Sequence, residues 1–411
     1  LKVTAKTGTA SDQPLLAIDS SALGGMYAGA IRLVGTEVGV GVKLAGDMAA
    51  SSGDVQIDAN GQLTLARVSA AHDLHINTAQ DVELTRQVHA GNDMAVTATA
   101  LNNQDGLLAR RAITISADQV HNTGVIEAGI NADGSLNAQG SVRVQSAELT
   151  NSGSMVASRE LSIKAAGKLD NRSGQLISDR ALKLETGQLD NRKGLVIAGG
   201  DIDVTVAQLD NHSGKLIGQQ QLTVMAGHVD NSGGELSAGQ LLTLDAQSVR
   251  QAQGQLLSGG TMNLDVAHLD NSDKGLISAG DDAQLRVDRL DNQNQGTVIS
   301  DGALSVQASQ LNNHNQGLLA SKGVLRIKAA QLDQHNQGEL IGEQALHLDL
   351  AGGDLDNSQG GLIYAPELHL QGIAALDNSR GGEISTPADL TLNAVQLDNS
   401  GGLISSGQNL R

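Results

Sequence analysis

Apolar and polar residues alternate along most of this chain, in short runs broken by glycine. In the segment LDNRKGLVIAGGDIDVTVAQ, which begins at Leu189, Ile202, Val204 and Val206 alternate with Asp201, Asp203 and Thr205. Period-two alternation predicts a half-buried strand. Gly194 precedes a second short apolar run at Leu195, Val196 and Ile197, and a Gly199-Gly200 turn separates the two. The segment at Leu209 repeats the pattern with Leu216-Ile217 and then Leu222 and Val224. No window carries apolar residues at helical spacing over helical length. Each unit is therefore predicted to hold two or three short strands joined by glycine turns.

The pattern recurs at a fixed interval. A phrase close to LDNSGG opens at Leu101, Val120, Leu149, Leu169, Leu189, Leu209, Val229, Val249, Leu269, Leu290, Leu311, Leu332, Leu355, Leu376 and Leu397, mostly 20 or 21 residues apart. Between Val55 and Ala100 the spacing persists in looser form, Leu74 and Ile76 returning as Met94 and Val96. Twenty residues in short strands bury too little apolar surface to offset the entropy of ordering them. Such units persist only by pairing with the units before and after them, which predicts an all-β parallel β-helix, a solenoid of ~20-residue coils with equivalent positions stacked about 4.8 Å apart. The crossover rule for parallel strands predicts a right-handed one.

Stacking gives meaning to the third position of the phrase. Asn103, Asn122, Asn151, Asn171, Asn191, Asn211, Asn231, Asn271, Asn292, Asn313, Asn357, Asn378 and Asn399 occupy it, with Gln251 and Gln334 as the exceptions. Each lies two residues beyond an apolar opener, so it is expected to point the same way, into a turn. A carboxamide carries donors and an acceptor, and stacked amides can bond one another and satisfy turn backbone groups. A structural ladder is the expectation. The second position is Asp in ten of the fifteen units, including Asp170, Asp190, Asp210 and Asp230. Clustered carboxylates suit calcium, but the glycine-rich nonapeptide of calcium-binding β-rolls is absent. The expected reading is a solvated face whose Asp side chains accept turn N–H bonds.

Two interruptions are informative. The 29-residue gap between Val120 and Leu149, with extra residues near Asn131-Ala132-Asp133-Gly134, predicts a loop protruding from the stack. Pro366 and Pro387 share an offset in adjacent coils and mark a turn.

Composition then narrows the chemistry. The 411 residues are 39% hydrophobic, with 50 Gly and neither Phe nor Trp, so aliphatic side chains must fill any core in thin layers. The absence of Cys excludes thiolate metal sites and cysteine nucleophiles. A net charge of −18 with no basic block argues against nucleic acid and anionic lipid surfaces as partners. No apolar run is long enough to span a bilayer as a helix, so no membrane insertion of this segment is expected. His314 and His335 share a position in neighbouring coils, and two imidazoles can begin a metal site. No third ligand is evident from spacing, so the pair is expected to be an exposed turn pair, with no metal and no cofactor. No catalytic grouping, P-loop or dinucleotide-binding pattern stands in a suitable setting. The enzymatic alternative is a sugar-cleaving β-helix with paired carboxylates. Such sites usually offer aromatic surfaces, and this chain has only Tyr27 and Tyr364.

The repeat from Leu101 to Arg411, and especially LDNSGGLISSG at Leu397 to Gly407, resembles the filamentous-haemagglutinin repeats of bacterial two-partner-secretion exoproteins. Residues 20–42, SSALGGMYAGAIRLVGTEVGVGV, are similar to the segment that follows the secretion domain in large haemagglutinin and contact-dependent growth inhibition proteins. The resemblance implies export through an outer-membrane partner β-barrel, folding outside the cell into a right-handed β-helix, and display at the bacterial surface. It divides the chain into residues 1–50, the end of the secretion-domain region; residues 51–100, looser coils; and residues 101–411, the repeat stalk. The expected function is that of a rigid, non-enzymatic stalk extending a receptor-binding and toxin region towards neighbouring bacteria. The alternative within the class is an adhesin that binds host cells, and in either case the target-cell receptor would be met by other regions. Leu1-Lys2-Val3-Thr4 already reads as strand, the asparagine-proline motifs of the secretion domain are absent, and the repeat continues to the final residues. The chain is therefore expected to be an internal part of a longer protein.

Overall fold

A computed structural model describes residues 15–20, 24–131 and 133–411. The strand expected at Leu1–Thr4, residues 21–23 of the segment 20–42, and Ala132 of the expected loop lie outside the described residues. Among the described residues there are strands, turns and bends but no helix. Strand ladders are parallel throughout, and the one antiparallel contact among the described residues is the isolated bridge Ile130–Leu136. The chain divides into two compact units, Leu1–Gly187 and Gln188–Arg411, each built as a β-solenoid of stacked coils.

In the first unit the looser coils carry three strands each. Val55–Ala59, Leu63–Leu65 and Val68–Ala70 are followed by Leu74–Thr78, Val82–Leu84 and Val88–Ala90. Val55 pairs with Leu74, Leu63 with Val82 and Val68 with Val88, so each strand meets its counterpart one coil on. Further along, the first two strands fuse. Met94–Asn103 pairs through Met94–Thr97 with the strand at Leu74, and through Leu101–Asn103 with the strand at Val82. The fused strand turns a corner, where the alternation changes phase. Along Leu241–Arg250 in the second unit, Leu242, Leu244 and Ala246 are buried two apart, then Val249 follows three residues later. A four-residue strand, such as Gln255–Ser258, forms the remaining side of the coil.

The aliphatic layers are thin and depend on their neighbours. Leu216, Leu236 and Leu256 stack in register through successive short strands at 0% exposure. Each has only one coil thickness around it, so water is excluded by the layers on either side rather than by a globular interior.

Departures from the 20-residue spacing fall at defined places. The insertion between Val125–Ala128 and Ser141–Asn151 forms a small loop closed by the Ile130–Leu136 bridge, with Leu136 66% exposed. The ladder resumes unshifted, Ala112 pairing with Ser141 and Ile113 with Val142. The 23-residue interval from Leu332 to Leu355 is absorbed within Ala345–Asp356, where Ala351 and Gly352 take φ of 53° and 93° and the register shifts. Pro366 and Pro387 stand at bends just before and after strands.

Candidate functional site

The repeated phrase forms a tight turn at the end of each long strand. From Leu169 on, one residue of it is left-handed in 20-residue coils, as at Ser173 and Ser213 with φ of 56° and 55°. In 21-residue coils two successive residues are, as at Asp273-Lys274, Asn294-Gln295 and Asn315-Gln316. The additional residue is thus taken up inside the turn and leaves both strands in register. The glycine that closes the turn is required by space. A Cβ at Gly214 would overlap the carbonyl oxygen of Asn191, and one at Gly234 that of Asn211.

Inside the turn the amide side chains form a continuous file in each unit. In the first, Nδ2 of Asn103 donates to Oδ1 of Asn122 at 2.7 Å, Asn122 to Asn151 at 2.7 Å, and Asn151 to Asn171 at 2.8 Å. In the second, Asn191 donates to Asn211 at 2.8 Å and Asn211 to Asn231 at 2.7 Å. The file continues through Gln251 at 3.4 Å, then to Asn271 at 3.2 Å, Asn292 at 2.7 Å and Asn313 at 2.8 Å. It passes through Gln334 at 3.5 Å, Asn357 at 2.9 Å, Asn378 at 2.7 Å and Asn399 at 2.7 Å. Each Nδ2 also reaches backbone: Asn211 donates to the carbonyls of Gly214 and Glu235, both at 3.2 Å. All bonds run in one direction along the chain, so the amide dipoles align and polarise one another. The joints into the two glutamines are longer because the added methylene shifts the carbonyl. Asn103 opens its file, its predecessor in register being Leu84, and its Oδ1 is buried without a partner. Asn and Gln at this position are 0–1% exposed, save Asn399, which is half-buried. Their hydrogen-bonding partners are internal, and no ligand reaches the buried members.

Where Asp precedes the amide it is half-buried, as at Asp210 and Asp230, or buried, as at Asp170, Asp190 and Asp291, and in most coils it accepts from the backbone N–H two residues on. Asp210 does so from His212 at 3.1 Å, Asp230 from Ser232 at 2.9 Å and Asp377 from Ser379 at 2.9 Å. Several of these carboxylates have basic partners. Asp170 is held by Arg172 and Lys168, and Asp190 by Arg192, which also lies 3.3 Å from Asp210. Asp291 receives Arg289 at 2.8 Å, His268 at 3.0 Å and Asn312 at 2.5 Å. Burial pushes the Asp291 carboxyl up, but those three hydrogen bonds and the charge of Arg289 outweigh it and hold it below the ordinary carboxylate range. A depressed folded value contributes stability that is complete above the unfolded value of about 3.9 and is lost as pH falls through the folded one. Asp291→Asn is therefore expected to lower the unfolding midpoint at pH 7 and to make it less sensitive to acid. Thermal unfolding from pH 7 down to pH 2 checks this; an acid limb identical to that of the parent protein would remove Asp291 from the account.

His314 and His335 stack, with ring centroids 4.8 Å apart and planes 17° apart. They are half-buried rather than exposed. The structure also places two carboxylates at His335 that spacing alone did not show. Nδ1 of His335 lies 2.5 Å from Oδ1 of Asp333 and 3.9 Å from Oδ2 of Asp356 in the next coil. The signal was present in part, since Asp333 and Asp356 are the second residues of successive phrases. The 23-residue interval concealed that they face each other. A second stacked pair, His347 and His369, lies on the outer face of the long strands with centroids 4.6 Å apart. Tyr27 pairs in register with Ala49, and Tyr364 with Ile341 and Ser385, so neither tyrosine is backed by an aromatic neighbour along its ladder.

Comparison with known proteins gives one consistent result. The haemagglutinin repeat family matches eight overlapping segments, residues 1–67, 66–128, 126–173, 156–211, 197–265, 231–287, 251–359 and 350–411, and so the whole chain. A tRNA nuclease CdiA of Yersinia mollaretii is 32% identical over 177 residues, 42% of this chain and 6% of that protein. A toxin CdiA of Yersinia pestis is 50% identical over 72 residues, 17% of this chain and 2% of the relative. A tRNA nuclease CdiA-2 of Burkholderia pseudomallei is 57% identical over 53 residues, 13% of this chain and 2% of the relative. The chain thus corresponds to a small fraction of the length of these relatives. No solved structure matches it.

Proposed function

The chain belongs to the haemagglutinin-repeat family, and from that premise we propose that it is the stalk of a two-partner-secreted surface exoprotein that acts in contact-dependent growth inhibition. On this reading it holds a receptor-binding region and a toxin, both carried elsewhere in the parent protein, away from the producing cell. The observation that carries the reading is the coil-on-coil stacking within each unit, in register apart from local bulges, with a hydrogen-bonded amide file and layers of buried aliphatic side chains. Such a fold maintains spacing by repetition and needs no catalytic residue.

Three features support the export route through an outer-membrane β-barrel partner and display at the bacterial surface. The chain has no cysteine to cross-link it before transit. Its contacts join each coil to the next, so folding can advance as residues emerge. The relatives named above include toxins and nucleases of the CdiA class, to which this chain is similar only in the repeat.

The test separates a spacer from a recognition surface. In the parent exoprotein, residues 189–396, ten whole coils, are replaced by an equal number of in-register haemagglutinin repeats from the Yersinia pestis relative, and inhibition of neighbouring cells is counted in co-culture. A spacer tolerates the exchange with inhibition within about twofold. Loss of inhibition with normal surface display would mean that this segment itself recognises the target, and loss of host-cell binding instead would favour the adhesin. Release of new reducing ends from acidic polysaccharide, abolished by a single carboxylate substitution, would replace both with an enzyme.

A further inference from the structure

We propose that Asp333, His335 and Asp356 form a binding site for a divalent first-row transition ion of the zinc class, seated between two consecutive coils. One ligand atom from each of the three lies within 4.8 Å of the other two. At zinc, nitrogen and oxygen ligands stand about 2.0–2.2 Å from the ion, which places neighbouring tetrahedral ligands about 3.4 Å apart. The 2.5 Å separation of His335 Nδ1 from Asp333 must open by about 1 Å, and the 3.9 Å separation from Asp356 must close by less, both within the reach of side-chain rotation. The side chains are 28%, 39% and 44% exposed for His335, Asp333 and Asp356, so an ion has a path in and water can complete its shell.

The contact between Asp333 and His335 by itself would be a turn hydrogen bond. In other coils a serine holds that place: Ser232 donates to Asp230 at 2.6 Å and Ser272 to Asp270 at 2.5 Å. Two further observations set this coil apart. The carboxylates Asp333, Asp356, Asp377 and Asp398 face one another in unbroken register, and among the described residues no Lys or Arg forms an ion pair with the first three. Elsewhere Arg172, Arg192 and Arg289 form ion pairs with Asp170, Asp190 and Asp291, and Arg250 stands in register between Asp230 and Asp270. A divalent ion between Asp333 and Asp356 supplies the missing charge. Separately, His314, stacked on His335, has an Nδ1 that is shielded from solvent and has no hydrogen-bond partner. Asn312, which stands to His314 as Asp333 stands to His335, is turned away to Asp291. A second imidazole nitrogen therefore stands unbonded beside the cluster. An imidazole with two carboxylates suits zinc, cobalt or nickel and not calcium, which prefers an all-oxygen shell.

The test uses the full chain, stripped with chelator, and Zn2+ alone by titration calorimetry, with Co2+ as a spectroscopic probe. One saturable site is expected, with a rise in the unfolding midpoint on Zn2+ addition and tetrahedral Co2+ absorption bands. His335→Gln and Asp356→Asn should each weaken binding by more than the roughly 10–100-fold typical of losing an outer-shell partner. Their metal-free circular dichroism should match that of the parent chain. His369→Gln, in the other stacked pair, should leave the affinity unchanged. Absence of binding at millimolar Zn2+, survival of binding in both ligand variants, equal loss in His369→Gln, or displacement of Zn2+ by equimolar Ca2+ would each overturn the proposal.

Discussion

Removal of residues 209–218 is expected to destroy cooperative folding of the second unit, whereas removal of residues 209–228 leaves it intact. The larger deletion excises one whole coil. Gln208 stands opposite His228 in the ladder, so joining Gln208 to Val229 restores the same sequence of faces one coil shorter. The smaller deletion removes Leu209, Asn211 and Leu216 together with the turn at His212-Ser213 and the strand Lys215–Gly218, so that the bend at Gln219-Gln220 follows Gln208 directly. The two leucines are 2% and 0% exposed, and losing a buried leucine costs about 2–5 kcal/mol at each site. Beyond that loss, the short strands at Leu195–Ala198 and Glu235–Ala238 forfeit the Lys215–Gly218 strand that pairs with both. Chemical unfolding followed by far-ultraviolet circular dichroism distinguishes the two variants. Comparable damage from both would show that the coils are not interchangeable modules.

The second large effect is at the amide file. Asn211→Leu removes the donor to Oδ1 of Asn231, which is then buried unpaired, whereas the Gly214 carbonyl still accepts from Glu235 N–H and Nδ2 of Asn191 still donates to Gly194 and Lys215. A buried polar group left unpaired costs about 1–3 kcal/mol, and a loss of that size is expected. Asn211→Gln should cost much less, since Gln251 and Gln334 occupy equivalent places and keep the file connected at 3.2–3.4 Å and 2.9–3.5 Å. Equilibrium unfolding of the three proteins is the measurement. A leucine tolerated within about 0.5 kcal/mol would mean that water or backbone relaxation satisfies these groups and that the file is not a source of stability.

Much of the architecture could be read from the chain because a parallel coil writes its own period. The alternation at Ile202, Val204 and Val206 and the return of Leu74 and Ile76 as Met94 and Val96 required strands stacked in register. The fusion of two strands round a corner was less accessible. It shows only as the three-residue step from Ala246 to Val249, which resembles an ordinary break in the pattern. The choice between 20 and 21 residues was visible as a number, but its meaning was not. The additional residue sits beside a left-handed neighbour, as at Asp273-Lys274, in positions that no propensity rule assigns to Lys or Gln. At the candidate sites the limit was similar. His314 and His335 could be paired by counting, while Asp356 faces Asp333 beside His335 across a 23-residue interval because Ala351 and Gly352 bulge within Ala345–Asp356, the strand that carries it.

By itself the sequence determined the length of a coil, the aliphatic identity of its interior and the amide at its turn, because those are properties of one unit and every unit repeats them. Only the tertiary structure decided which side chains of different coils meet: the bonds along the amide file, the basic partners of Asp170 and Asp291, and the grouping of Asp333, His335 and Asp356. The physical reason is that contacts between coils depend on accumulated register. A bulge or an additional turn residue changes by one or two the number of residues between facing positions without disturbing the local pattern from which the coil is recognised.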